Sequence, residues 1–132
     1  MFSLRADVGA SFCMMPSTKP TDVRVTAAEV FFIPVTMRVP LKFGPETVTN
    51  VVCLRVRVTV ADDSGKTAQG WGETPLSVSW VWPSSLSVAV RAQRMQDFST
   101  LLAQRLVESG LTGHPMEIGH DFMHGTLAAT LK

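Results

Sequence analysis

Residues 47–74 read TVTNVVCLRVRVTVADDSGKTAQGWGET, and the fold is decided there. Val52, Leu54, Val56, Val58 and Val60 alternate with Cys53, Arg55, Arg57 and Thr59. A period of two sends successive side chains to opposite faces, so residues 47–60 form a strand with one apolar and one polar face. ADDSGK, residues 61–66, is a turn: Asp62, Asp63 and Ser64 tolerate turn geometry and Gly65 can take positive φ. A second strand follows at 67–74. Gly70 and Gly72 leave one of its faces almost bare, open to close approach by another group, while Trp71 and Glu73 project from the other. Glu73 has the chemistry of a general acid or a metal ligand, and equally that of an ion-pair partner for a nearby arginine.

Upstream, residues 22–36, DVRVTAAEVFFIPVT, are rich in β-branched and aromatic side chains and read as a strand. Pro34 cannot donate to a ladder, so this strand lies at an edge or breaks there. Pro40, Gly44 and Pro45 then mark a loop, MRVPLKFGPE, that presents Arg38, Lys42 and Phe43 from irregular backbone. Residues 1–21, with Pro16 and Pro20, form a loosely ordered lead-in to a domain spanning 22–132.

Downstream, residues 70–85, GWGETPLSVSWVWPSS, contain all three tryptophans. Each is a large apolar body with one N–H to satisfy. Two readings stay open: a surface meant to be covered, or the closure of a small core. Ser84 or Ser85, with Pro83 beside it, caps a helix over 85–109 that ends at Gly110. Met95, Phe98, Leu101, Leu102 and Leu106 fall on one face of it, suited to covering the sheet. In the tail, Ile118, Phe122, Met123, Leu127 and Leu131 suit a short helix over 115–131. His120 and His124 stand four apart near Glu117 and Asp121, but no third ligand has a telling spacing, and no metal site is assigned. The fold expected is α+β: a three-stranded antiparallel meander, a long helix and a shorter C-terminal one.

The composition bounds the function. The 132 residues fit one domain. Charged residues are 17%, below the usual quarter or so, which suggests that part of the surface is normally hidden against a partner. A net charge of +1 offers no field for nucleic acid or anionic lipid, and Arg55 and Arg57 read as a solvated face. No apolar run is long enough for a membrane span, and the first twenty residues make a poor signal peptide. Cys13 and Cys53 read as free thiols, which with these features points to the cytoplasm. No phosphate-binding glycine loop, nucleophile elbow or paired-cysteine pattern is present, nor any internal repeat.

The order of these pieces resembles the N-terminal capping domain of the enolase superfamily, in the mandelate racemase and muconate lactonizing branch. The resemblance covers residues 22–125. It rests on Gly70-Trp71-Gly72-Glu73 ending the third strand, the D-D-S-G-K turn before it, and the loop with Arg38, Pro40 and Gly44. It implies that residues 38–44 and 74–82 close over the mouth of a separate (β/α) barrel and help select a small carboxylate substrate. The substrate-loop candidates are then Arg38, Lys42, Phe43, Gly44, Thr74, Trp80 and Trp82. It also implies that the Mg²⁺ carboxylates and the acid/base lysine or histidine groups lie in the barrel, and that the complete enzyme is a homo-oligomer. This chain is thus expected to hold no catalytic residue and no metal. A barrel needs roughly 200 residues, so the chain reads as the first domain of a racemase, cycloisomerase or acid-sugar dehydratase, inactive alone. Trp71 is expected to be buried against the helix or the barrel. Two other readings remain: a stand-alone α+β interaction module that offers its tryptophan segment to a protein, and a small metal enzyme built on His114, His120 and His124.

Overall fold

The computed structural model describes residues 19–43 and 46–131. Most of the lead-in, Cys13 and Gly44 lie outside the described residues. Three long strands come first: β1 (Val23–Phe43), β2 (Glu46–Ala61) and β3 (Thr67–Pro75). A single helical turn, α1 (Val78–Val81), leads to the long helix α2 (Val88–Glu108). A two-residue strand, β4 (Thr112–Gly113), and helix α3 (Pro115–Asp121) follow. The chain stays helical through a wider π-type segment, Phe122–Leu127, into a last turn, α4 (Ala128–Thr130). No helix among the described residues is long and apolar enough to cross a membrane.

The architecture is α+β, with an antiparallel sheet in the order β3-β2-β1-β4. The sheet has four strands rather than the three expected. Gly110 (φ +62°) ends α2 and Gly113 (φ +142°) carries backbone that L-residues rarely adopt. Together they return the chain to the start of β1, where Val23 faces Gly113 and Arg24 faces Thr112. Two residues are too few to display a period of two.

β1 also runs further than expected. The segment read as a loop after residue 36 stays in the sheet: Leu41 faces Val48, Lys42 faces Thr47 and Phe43 faces Glu46. Between Thr36↔Asn50 and Leu41↔Val48, β1 advances from 36 to 41 while β2 advances only from 50 to 48. The surplus residues form a bulge that takes in Pro40, where a missing N–H breaks no ladder bond. Pro34 does not end the strand. It faces Val52, and β4 covers only Val23 and Arg24, so β1 is an edge strand at Pro34.

The turn between β2 and β3 forms as its residues require. Asp62 accepts from Ser64 Oγ at 2.6 Å and from Lys66 N at 2.9 Å, and Gly65 has φ +82°. The Ser64 hydrogen bond is the main cause holding the Asp62 carboxyl below its usual value.

Register sorts the sheet into two faces. One carries the rows Ala28–Val58–Gly70 and Val30–Val56–Gly72; the other carries Glu29–Arg57–Trp71 and Phe31–Arg55–Glu73. Helix α2 packs against β1, where Ala28 and Val30 are buried, and Leu76, Val78, Val107 and Ile118 complete the core. The cap is Ser87, which accepts from Val90 N at 3.3 Å, rather than Ser84 or Ser85; α1 intervenes, and the chain needs the residues after it to turn. Leu101, Leu102 and Leu106 are half-buried as expected, while Phe98 on the same stripe is 37% exposed. A Cβ added at Gly70 or Gly72 would meet nothing within 4 Å. Among the described residues, then, nothing makes the close approach that the bare glycine face allows.

Trp71 is not buried by the helix. It is 57% exposed on the opposite face, 5.8 Å from the Phe31 ring and 5.4 Å beneath the Arg57 guanidinium. Arg57 also pairs with Glu29, which is only 7% exposed, so a Glu29–Arg57–Trp71 row spans three strands. Glu73 pairs with Arg55 at 2.6 Å across the same face, so the ion pair open to it is formed.

Two stability measurements follow. Arg57→Met leaves the Glu29 carboxylate buried without its partner and is expected to cost about 3 kcal/mol, as for a broken buried pair. Trp71→Ala removes a cation–π contact and one ring contact from an exposed site and is expected to cost about 1–2 kcal/mol, not the 3–5 of a core aromatic. Urea unfolding of both variants against the parent checks the order; a larger loss for Trp71→Ala would contradict it.

Candidate functional site

A cleft of about 590 Å³ opens at the end of the sheet remote from β4. Its walls are β1 at Pro34, Val35 and Thr36 and β2 over residues 47–52. Its roof is the segment from Leu76 to Ser79 with Val88, Ala92 and Gln96 of α2. The roof is held locally. Leu76 N donates to Val52 O at 2.8 Å, which ties the chain leaving β3 back onto β2, and Leu76 and Val78 are buried as anchors. The α1 turn closes through Val81 N to Ser77 O at 3.0 Å and Trp82 N to Val78 O at 3.1 Å.

A buried arginine fixes the rest of the tryptophan segment. Arg91 is 4% exposed; its Nη1 donates to Trp82 O at 2.6 Å and its Nε to Leu86 O at 3.0 Å. One guanidinium thus binds the turn between α1 and α2 to the first turns of α2. Arginine suits this task because its planar fork presents several donors in fixed directions and stays charged at all relevant pH.

The cleft lining is uncharged. Thr36, Thr47, Thr49, Asn50, Ser77 and Gln96 supply hydroxyl and amide groups among valines. Such a surface can desolvate a ligand and hydrogen-bond its neutral polar groups. Among the described residues, no acid or base lines it to move a proton.

Of the substrate-loop candidates, Arg38, Lys42, Thr74, Trp80 and Trp82 do not line this cleft. Arg38 and Lys42 are exposed on the outer arm of β1, which continues from the cleft wall. Phe43 closes the β1–β2 ladder opposite Glu46. Thr74 is exposed near the end of β3, facing Leu54. Trp80 is 69% exposed on α1, and Trp82 caps that turn with its carbonyl held by Arg91. The two segments therefore flank one cleft. The lining threonines, Asn50 and Gln96 were not anticipated; TVTN at 47–50 shows only strand propensity, and Gln96 shows only a polar helix position.

Of the three histidines, His114 caps a helix. His114 Nδ1 accepts from Met116 N at 3.2 Å, and Glu117 accepts from His114 N at 3.1 Å, a capping box for α3. Glu117 also meets Lys19 at 3.1 Å, and this hydrogen bond is the first cause lowering its pKa. That tie is complete above the range where a free glutamate titrates and is lost as pH falls through the lowered value. His120 and His124 lie with ring centroids 4.4 Å apart, and His120 Nδ1 is 3.1 Å from Asp121 Oδ1. Among the described residues, no three His, Cys, Asp or Glu side chains gather in a way that could hold a metal ion.

Arg91→Met should release the carbonyls of Trp82 and Leu86. The expected result is a loss of about 2 kcal/mol, the scale of hydrogen bonds to a charged group, with a changed near-ultraviolet circular dichroism signal from the tryptophans. An unchanged signal would mean that Arg91 does not hold the segment.

No family model, curated protein or solved structure matches the chain.

Proposed function

We propose that this chain is the capping, substrate-selecting domain of a Mg²⁺-dependent enzyme of the enolase superfamily, in the mandelate racemase and muconate lactonizing branch. In this reading it works over a (β/α) barrel of the same enzyme, and the substrate is a small carboxylate. The observation that carries the reading is the uncharged cleft flanked by the β1–β2 arm and the tryptophan segment. A cap supplies shape, neutral hydrogen bonds and exclusion of water; the reacting groups belong elsewhere.

The cleft does not fit Mg²⁺. That ion takes hard oxygen ligands, usually with carboxylates among them, and among the described residues no carboxylate lines the cleft. The metal of such an enzyme would be held by the barrel, where it would stabilise the enediolate formed by proton abstraction. The role of this chain is to bind and orient. Thr36, Thr49 and Asn50 can meet substrate hydroxyls, and Lys42 and Arg38, exposed beside the cleft, can meet an anionic end.

A second reading has its own observation. Trp80, Val81, Leu86, Val88 and Val90 are all exposed within one short stretch, which suits a stand-alone interaction module. A hydrophobic dye separates a sticky patch from a merely solvated one: binding is expected, and Trp80→Ser with Leu86→Ser should reduce it. No dye binding by the parent would remove this second reading.

The enzyme reading is tested on the protein that includes its barrel. Trp80→Ala and Phe43→Ala are expected to lower kcat/KM and to change the ranking of acid sugars and other hydroxy acids, with Mg²⁺ affinity near the parent value. An unchanged ranking with a lowered Tm would assign both residues to domain packing. A continuing reading frame without barrel strands ending in Asp or Glu would overturn the family reading itself.

A further inference from the structure

The two edges of the sheet are built differently. The β1 edge carries Pro34 and Pro40, two register shifts and a covering strand, β4. These are the usual devices that prevent a free edge from pairing with another chain. The β3 edge has only one of them, a proline at its last position. Thr67 to Pro75 pairs with β2 through nine successive positions without a register shift, and every residue is exposed. It has no lysine, its one proline is the last residue, and its one charge, Glu73, is already matched by Arg55. Among the described residues, no strand pairs with its outer side.

We propose that this edge pairs antiparallel with the same edge of a second copy of the chain, about a two-fold axis through Trp71. This is the one antiparallel register in which all nine residues of each strand overlap. It sets Gln69 opposite Glu73 of the other copy, so an amide meets a carboxylate and no like charges face each other. It sets Gly70 opposite Gly72 on the bare face, where nothing obstructs the approach. It sets the two Trp71 rings together on the other face, each already oriented by Phe31 and Arg57. An exposed indole loses solvent contact, and aromatic cross-strand pairs are among the more stabilising. Because the opposite edge is protected, the pairing is isologous and closes as a dimer rather than growing into a fibre. One strand pair is a small interface, so the dimer forms and dissociates with concentration. The inference stands independently of the enzyme reading.

Sedimentation equilibrium on the 132-residue chain, up to about 1 mM, tests it. A monomer–dimer equilibrium is expected. Gln69→Glu places like charges at two symmetric positions and should weaken the dimer roughly 2- to 30-fold, while Gln69→Lys should tighten it. As a second readout, Trp71→Cys in a Cys13→Ser/Cys53→Ser background should form a disulfide between copies on oxidation, since directly opposed strand residues lie within disulfide reach. A chain that stays monomeric throughout, or a dimer indifferent to the sign of charge at position 69, overturns the proposal.

Discussion

The long antiparallel pairing of β1 with β2 is the constraint on which the rest of this structure depends. Its register decides that Ala28 and Val30 face α2 and that Glu29 and Phe31 face away. A shift of β1 by one residue would turn Glu29 towards the helix and Ala28 and Val30 away from it. The pairing also extends past the bulge at residues 37–40, and Thr47 and Val48 on the β2 side of this arm join the cleft wall.

Coverage of the sheet is uneven, and the physical character of each region follows from it. Helix α2 shields β1, and burial is deepest there. β2 is only partly shielded, and β3 is exposed along its whole length. On the helix-free face, charge and aromatic groups take over the role that apolar burial plays on the other. The rows Glu29–Arg57–Trp71 and Arg55–Glu73 satisfy one another across the strands. Cross-strand pairs of this kind contribute less than core packing, but they keep a half-open sheet in register.

The cleft and the tryptophan segment are two consequences of one fixed turn. Leu76 is tied to β2, and Arg91 holds the carbonyls of Trp82 and Leu86, so the segment has fixed ends while its indoles remain on the surface. Rigid backbone with exposed aromatic side chains loses little entropy when a substrate, a barrel or a partner covers it. The uncharged lining limits what the cleft can do to binding and exclusion of water.

Much of this was legible in the residues. The alternation at 52–60, the ADDSGK turn and the stop at Gly110 each express a local rule, and the strand, the hairpin and the helix end lie where those rules predict. The α+β class follows from them. What the residues could not disclose depends on contacts between distant segments. Pro40 reads as a loop marker, yet a bulge accommodates it because β2 continues opposite. β4 exists only because the chain returns beside Val23. The family resemblance implies a buried Trp71, but the face it occupies was decided by the pairing of Arg57 with Glu29 and by which side α2 chose. Arg91 reads as one more solvated charge until Trp82 and Leu86 fold back to it. Local propensity and period determined the elements; their register, the side that the helix covers and the cleft at the far end arose only when elements remote in sequence packed together.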